Sequence, residues 1–362
     1  MGYIKKYNHF LTSYQIKELQ KMLLCQHPSK GVIRYKCTNC EKEKIVHFNC
    51  NGKLCTNCGK KQTDLWASKV QRRLFPVTHR HIVFTMPDEL WKVIEHDKKL
   101  IDVAFRTIPI VITQAFSFKY PNLNIKPGIF SVLHTFGEDL KFNVHFHTLT
   151  TEGGITNNGE WKDAFVSYES LRKVWQYHLL TRLKKAMPKT KESNQFIDRM
   201  FKQYSNGFYV RAKDRTPKEK LELIKYLARY VRHPAIAQSR ITAYDGNTVT
   251  FICNKKTHEE KYITMDVDEF ITAILRHLPE KNYHLIRYQG IYSNNQRKKY
   301  SSIISMFRKT VKFIQKKPCS AKPKCEFCGK TMQVEYIEQP TDPPDDLNLQ
   351  KYFGQQKLSV SG

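Results

Sequence analysis

Asn143-Val144-His145-Phe146-His147-Thr148-Leu149 is the stretch that decides how this chain is read. Apolar and polar residues alternate along it, as in a strand whose successive side chains point to opposite faces. Val144 and Phe146 then face a core, and His145 and His147 share the other face. Two neutral imidazoles side by side on a rigid strand make half a site for a divalent metal. Two residues hold a metal weakly, so a third ligand is expected. His134 lies on the preceding predicted strand (Ile129 to Thr135) and reaches the same face if the two strands pair. Glu138 and Asp139, in the turn between them, are the alternatives. Imidazole with oxygen ligands and water suits Mg²⁺ or Mn²⁺, and Mn²⁺ matches nitrogen better.

Further along, Tyr226-Leu227-Ala228-Arg229-Tyr230 places two tyrosines at i,i+4 spacing, on one face of a predicted helix. Thr216 and Glu219 form a capping box, Pro217 suits the first helical position, and Pro234 sets the end. A metal to polarise a phosphate and a tyrosine to attack it suffice to break and rejoin a nucleic-acid strand. The phenol has a reference pKa of about 10 and needs help to lose its proton. Lys225 and Arg229 lie next to it in sequence, and Arg240 follows. These three are the candidate DNA-contacting cations.

Composition supports a polyanionic partner. The 362 residues carry Lys+Arg 61 against Asp+Glu 33, a net +28, with Tyr 19 and Phe 21. Basic residues mixed with aromatics suit single strands, whose bases stack on rings. No apolar run is read as long enough to span a membrane, and the basic N-terminus lacks an apolar signal segment. A cytoplasmic, nucleoid-associated protein is expected, and there short-spaced cysteines indicate metal rather than disulfide.

Cys37-x2-Cys40 and Cys55-x2-Cys58 have the spacing of paired zinc knuckles. These four are the expected ligands of a structural Zn²⁺, with Cys50 able to replace one and His47 a weaker candidate. Cys319, Cys325 and Cys328 offer three ligands for a second zinc, the fourth coming from elsewhere. Strands and helices alternate without a regular βαβ rhythm, which predicts an α+β fold. The expected division is a helical segment and zinc module at 1–66, a catalytic domain at 67–292 and a basic C-terminal region at 293–362. Asp88 is expected to open one long helix to about Phe118, broken or kinked at Pro109. The lysine-rich stretch to about Lys202 reads as a surface excursion.

Taken in order, several stretches resemble the two-tyrosine HUH transposases of rolling-circle insertion sequences that carry an N-terminal zinc-binding domain. They are Cys50 to Gly59, His81 to Leu90, Leu133 to Gly137 leading to Val144-His145-Phe146-His147, Tyr226 to Tyr230 leading to Ile241, and Phe270 to Gly290. The resemblance implies the HUH endonuclease fold, a central antiparallel sheet flanked by helices. It implies a nickase and strand transferase acting on single-stranded DNA at transposon ends and target. It gives His145 and His147 the metal-ligand role and Tyr226 and Tyr230 the nucleophile role, through a 5′-phosphotyrosine and a free 3′-OH. Thr56, where the family usually has proline, and Pro234, just past Tyr230, depart from the family pattern. The rival readings are a rolling-circle replication initiator or relaxase with the same chemistry, and a non-catalytic zinc-dependent nucleic-acid-binding protein.

Overall fold

The computed structural model describes residues 2–167, 170–212, 224, 234–253, 260–300 and 322–342. The described strands are, in chain order, β1 (Val32–Lys36), β2 (Glu43–His47), β3 (His79–Thr85), β4 (Lys126–Phe136), β5 (Phe142–Ile155), β6 (Trp161–Asp163), β7 (Val210–Ala212), β8 (Ile241–Tyr244), β9 (Thr248–Cys253), β10 (Lys261–Asp266), β11 (Ile286–Gly290) and β12 (Gln333–Glu338). Every described pairing is antiparallel. With the helices this makes a mixed architecture of the α+β kind. Two compact units result, neither continuous in sequence. The first joins Met1–Leu65, Arg232–Asn282 and Gln315–Gly362, and the second joins Trp66–Val231 and Tyr283–Ile314.

The second unit is built on a sheet of order β11-β4-β5-β3-β7, with β6 added to β5. Strand alternation sorts its side chains. Ile82, Phe84, Ile129, Leu133, Val144 and Phe146 face a large core closed by the helices Asp88–His96, Lys99–Lys119, Leu171–Ala186 and Lys191–Gln203. Phe130, Val132 and Leu149 point the other way, into a smaller core with Trp66, Val70, Tyr292 and Ile224. Gly128 on β4 is required there, because a Cβ would meet the Tyr292 ring at 2.7 Å.

Four local expectations need correction. The single helix from Asp88 is two, parted at Asp97 (φ −130°), whose Oδ1 accepts the Lys99 N–H at 3.0 Å. The second of them runs unbroken through Pro109. Proline has no N–H to give the carbonyl four residues back. Here Gln289 Nε2 donates to the Phe105 oxygen at 2.8 Å and replaces the missing donor. The stretch read as a surface excursion holds the Lys191–Gln203 helix, which Thr190 caps and which buries Ile197 and Met200. The Lys99–Lys119 helix is also long and apolar enough to cross a membrane, contrary to the sequence reading. Its apolar side chains from Leu100 to Phe116 pack into the larger core.

In the first unit, Thr12 closes a capping box with Gln15 on the Ser13–Leu23 helix. Glu18 on that helix is buried and accepts the Lys53 N–H at 2.7 Å, fixing the loop before Cys55. Ile4, Leu19, Leu54, Leu275 and Leu278 make the local core. Two three-stranded sheets, β12-β1-β2 and β10-β9-β8, complete the unit.

Gln289→Leu keeps the volume and strands the Phe105 carbonyl, so it should destabilise the protein by about 1–3 kcal/mol in urea unfolding. Pro109→Ala, which supplies the absent N–H, should recover much of that loss; no recovery would discount the substitute bond.

Candidate functional site

The register of the central strands assembles the histidines. His134 on β4 lies opposite His145 on β5, and Val132 opposite His147. Alternation then puts His134, His145 and His147 on the face of the smaller core. Their ligand atoms all lie within 4.8 Å of one another. His145 Nδ1 is 2.9 Å from the Asn143 carbonyl oxygen, to which its N–H donates. That leaves Nε2 as the acceptor facing His134 Nδ1 at 3.2 Å. Burial, and then the neighbouring imidazoles of His147, His145 and His81, hold the His134 pKa well below the ordinary histidine value. Burial likewise lowers that of His145. Neutral imidazoles are the form that binds metal, so three converging nitrogens fit a divalent ion. Glu138 and Asp139 are not in the group; Asp139 accepts the Lys141 N–H in the turn.

Sequence reading missed a fourth histidine. His81 on β3 is buried, sits diagonally across from His147, and has Nε2 2.8 Å from His147 Nδ1, with the two rings stacked at 18°. A ligating histidine is oriented by the partner of its other ring nitrogen, and His81 is placed for that role. Its signal was the His79-x-His81 alternation on β3, visible only once β3 is known to flank β5. His79 is engaged differently, with Nε2 2.6 Å from the Tyr292 hydroxyl.

Tyr226, Tyr230, Lys225 and Arg229 lie outside the described residues. Ile224, two residues before Tyr226, is helical and buried in the smaller core with Phe130, Val132 and Leu149. Arg240 lies in the first unit, where Nε donates to the Ile252 carbonyl at 2.8 Å and braces β8 against β9.

The cysteines group differently from the expected set. Cys37 and Cys40 do not join Cys55 and Cys58. Instead Cys55 and Cys58 meet Cys25 and Cys50, with sulfur separations of 3.4 to 3.6 Å. Cys37 and Cys40 meet Cys325 and Cys328 at 3.4 to 3.8 Å. The reason is topological. The β1–β2 hairpin carries the first knuckle away from the second and, through β1, pairs with β12 beside the distant cysteines. A tetrahedron with Zn–S bonds of about 2.3 Å has edges of about 3.8 Å, so both quartets fit zinc. Cys50 is thus a full member of its group, and Cys25 was overlooked as an isolated cysteine just past a helix. His47 is in neither group, and Cys319 lies outside the described residues.

Comparison with known proteins matches residues 2–86 to the family "Transposase zinc-binding domain" and residues 128–299 to the family "Putative transposase". The chain is 28% identical over 298 residues to the transposase of insertion sequence element IS801 from Pseudomonas savastanoi pv. phaseolicola, covering 78% of this chain and 72% of that protein. It is 24% identical over 306 residues to the "Putative transposase y4qJ" of Sinorhizobium fredii, covering 79% and 76%. No solved structure matches.

If His81 orients His147, His81→Ala should weaken Mn²⁺ binding about 10–100-fold in calorimetric titration. His81→Gln, whose amide can take the place of Nε2, should restore most of it. Equal affinities in all three proteins would leave His81 a packing residue.

Proposed function

From the premise that this chain belongs with the insertion-sequence transposases in both of its matched domains, we propose that it nicks and rejoins single-stranded DNA at the ends of its element by the HUH mechanism. The observation that carries this reading is the convergence of His134, His145 and His147 on one sheet face. The antiparallel sheet with helices packed on it fits the HUH fold.

His134, His145 and His147 would hold a divalent ion, Mg²⁺ or Mn²⁺, which would supply positive charge to neutralise the scissile phosphate. Burial favours the neutral, ligating form of His134 and His145. Tyr226 or Tyr230 then attacks phosphorus in line. The phenolic oxygen gives up its proton to solvent and forms the new P–O bond, the bond to the 3′-oxygen breaks, and that oxygen leaves as a hydroxyl after taking a proton from solvent. Lys225 and Arg229, adjacent in the sequence, favour the phenolate by their charge and contact backbone phosphates; Arg240 is a further candidate DNA contact. The phosphotyrosine keeps the energy of the broken bond, so a free 3′-OH can reverse the step on another strand without a nucleotide cofactor. Two tyrosines would let one strand be held while a second is cut, which suits a rolling-circle route.

The test uses a single-stranded oligonucleotide carrying the element's end, with Mn²⁺, resolved on a denaturing gel. A covalent protein–DNA adduct is expected for the wild type and not for His145→Ala or after chelation. Tyr226→Phe and Tyr230→Phe should identify the attacking residue. Binding without an adduct would support the zinc-dependent binding protein instead. Binding should also weaken steeply with salt, because each neutralised phosphate releases counterion.

A further inference from the structure

The two cysteine pairs of the second quartet come from opposite ends of the sequence, yet they are built alike. In the first, the Cys37 N–H donates to the Lys42 carbonyl at 2.9 Å and the Glu41 N–H to the Cys37 carbonyl at 2.9 Å. In the second, the Cys325 N–H donates to the Lys330 carbonyl at 2.8 Å and the Gly329 N–H to the Cys325 carbonyl at 2.9 Å. The turn residue is left-handed in both, Glu41 at φ +56° and Gly329 at φ +70°. The leading sulfur in each accepts backbone N–H groups from the residues two and three positions on, Asn39 and Cys40 in one, Phe327 and Cys328 in the other. Such turns aim two sulfurs toward one point and give the leading sulfur backbone donors.

The pairs also face each other through contacts of their own. Lys330 Nζ donates to Asn39 Oδ1 at 2.7 Å, Lys44 pairs with Glu326, and Lys42 lies over the Phe327 ring. Cys37, Cys325 and Met332 share a small buried cluster. Behind them β12 runs antiparallel to β1, from Val32 opposite Glu338 to Lys36 opposite Gln333. The matched zinc-binding domain ends at residue 86, so it contains only half of this quartet.

We propose that Cys37, Cys40, Cys325 and Cys328 bind one structural zinc ion, shared between the two ends of the chain, and that the C-terminal knuckle with β12 is an integral half of the zinc module. Each thiol releases its proton to solvent as its thiolate takes the ion. The site is closed, with four protein ligands and no position for substrate. Its work is to fasten β12 to β1, and it acts beside a separate zinc at Cys25, Cys50, Cys55 and Cys58.

Sharing has a signature in metal counting. The full-length protein is purified in a His145→Ala/His147→Ala background, so that the histidine centre takes up no zinc, and analysed by elemental mass spectrometry. Two zinc ions per chain are expected with all cysteines intact. Cys37→Ser/Cys40→Ser and Cys325→Ser/Cys328→Ser should each retain one. The fourfold variant should also retain one, because both pairs serve the same ion. Two ions retained in the Cys325→Ser/Cys328→Ser protein, or one in every form, would overturn the proposal.

A second measurement needs no substitution. In the wild-type protein all four thiols, including the exposed Cys328, should resist alkylation and become labelled together on chelation. Labelling of Cys325 and Cys328 before chelation, with Cys37 and Cys40 protected, would refute the shared site.

Discussion

The pairing of β4 with β5 is the constraint on which the candidate active site depends. Because strand side chains repeat every two residues, a slip of one position would send His134 to the opposite face while His145 and His147 stayed. The larger core prevents it. Val144 and Phe146 interdigitate with Ile129 and Leu133 beneath the helices, and Phe146 meets Phe105 edge-on at 4.8 Å. Packing on one face thus sets imidazole geometry on the other. β3 adds a second lock, since its register with β5 presents His81 to His147.

The cysteine quartets solve a different problem. The first unit is assembled from three separated stretches, and its apolar core is small. Small cores of this kind are commonly supplemented by metal or disulfide. Glu18 shows how the local scaffold presets one quartet: buried, it accepts the Lys53 N–H and pairs with Lys21, holding the loop that delivers Cys50 and Cys55.

Much of the histidine centre was legible because strand alternation is local. Val144 to His147 announces its faces, and His134 follows from one hairpin pairing. His81 was not legible in that way, since β3 and β5 are joined across the whole of β4 and two helices. The cysteines fail for the same reason on a larger scale. Spacing identifies a knuckle but carries nothing about which distant knuckle completes it. At Lys191–Gln203 a lysine-rich composition masks Phe196, Ile197 and Met200, whose helical spacing buries Ile197 and Met200. Pro109 was read by its local rule, and a glutamine from β11 lifts that rule.

The pairing of β1 with β12 also orders events in time. A polypeptide emerges from the ribosome at its N-terminus, and β1 is among the first strands to appear. Its partner β12 arrives some three hundred residues later, by subtraction of Val32 from Gln333. Until then one edge of β1 stays open beside two thiols, while the whole β3–β5 sheet is already synthesised. The β1–β12 pairing, and the cysteine quartet beside it, can therefore close only after the chain between them has been made. A chain interrupted before Glu338 keeps its histidines but leaves that edge unpaired.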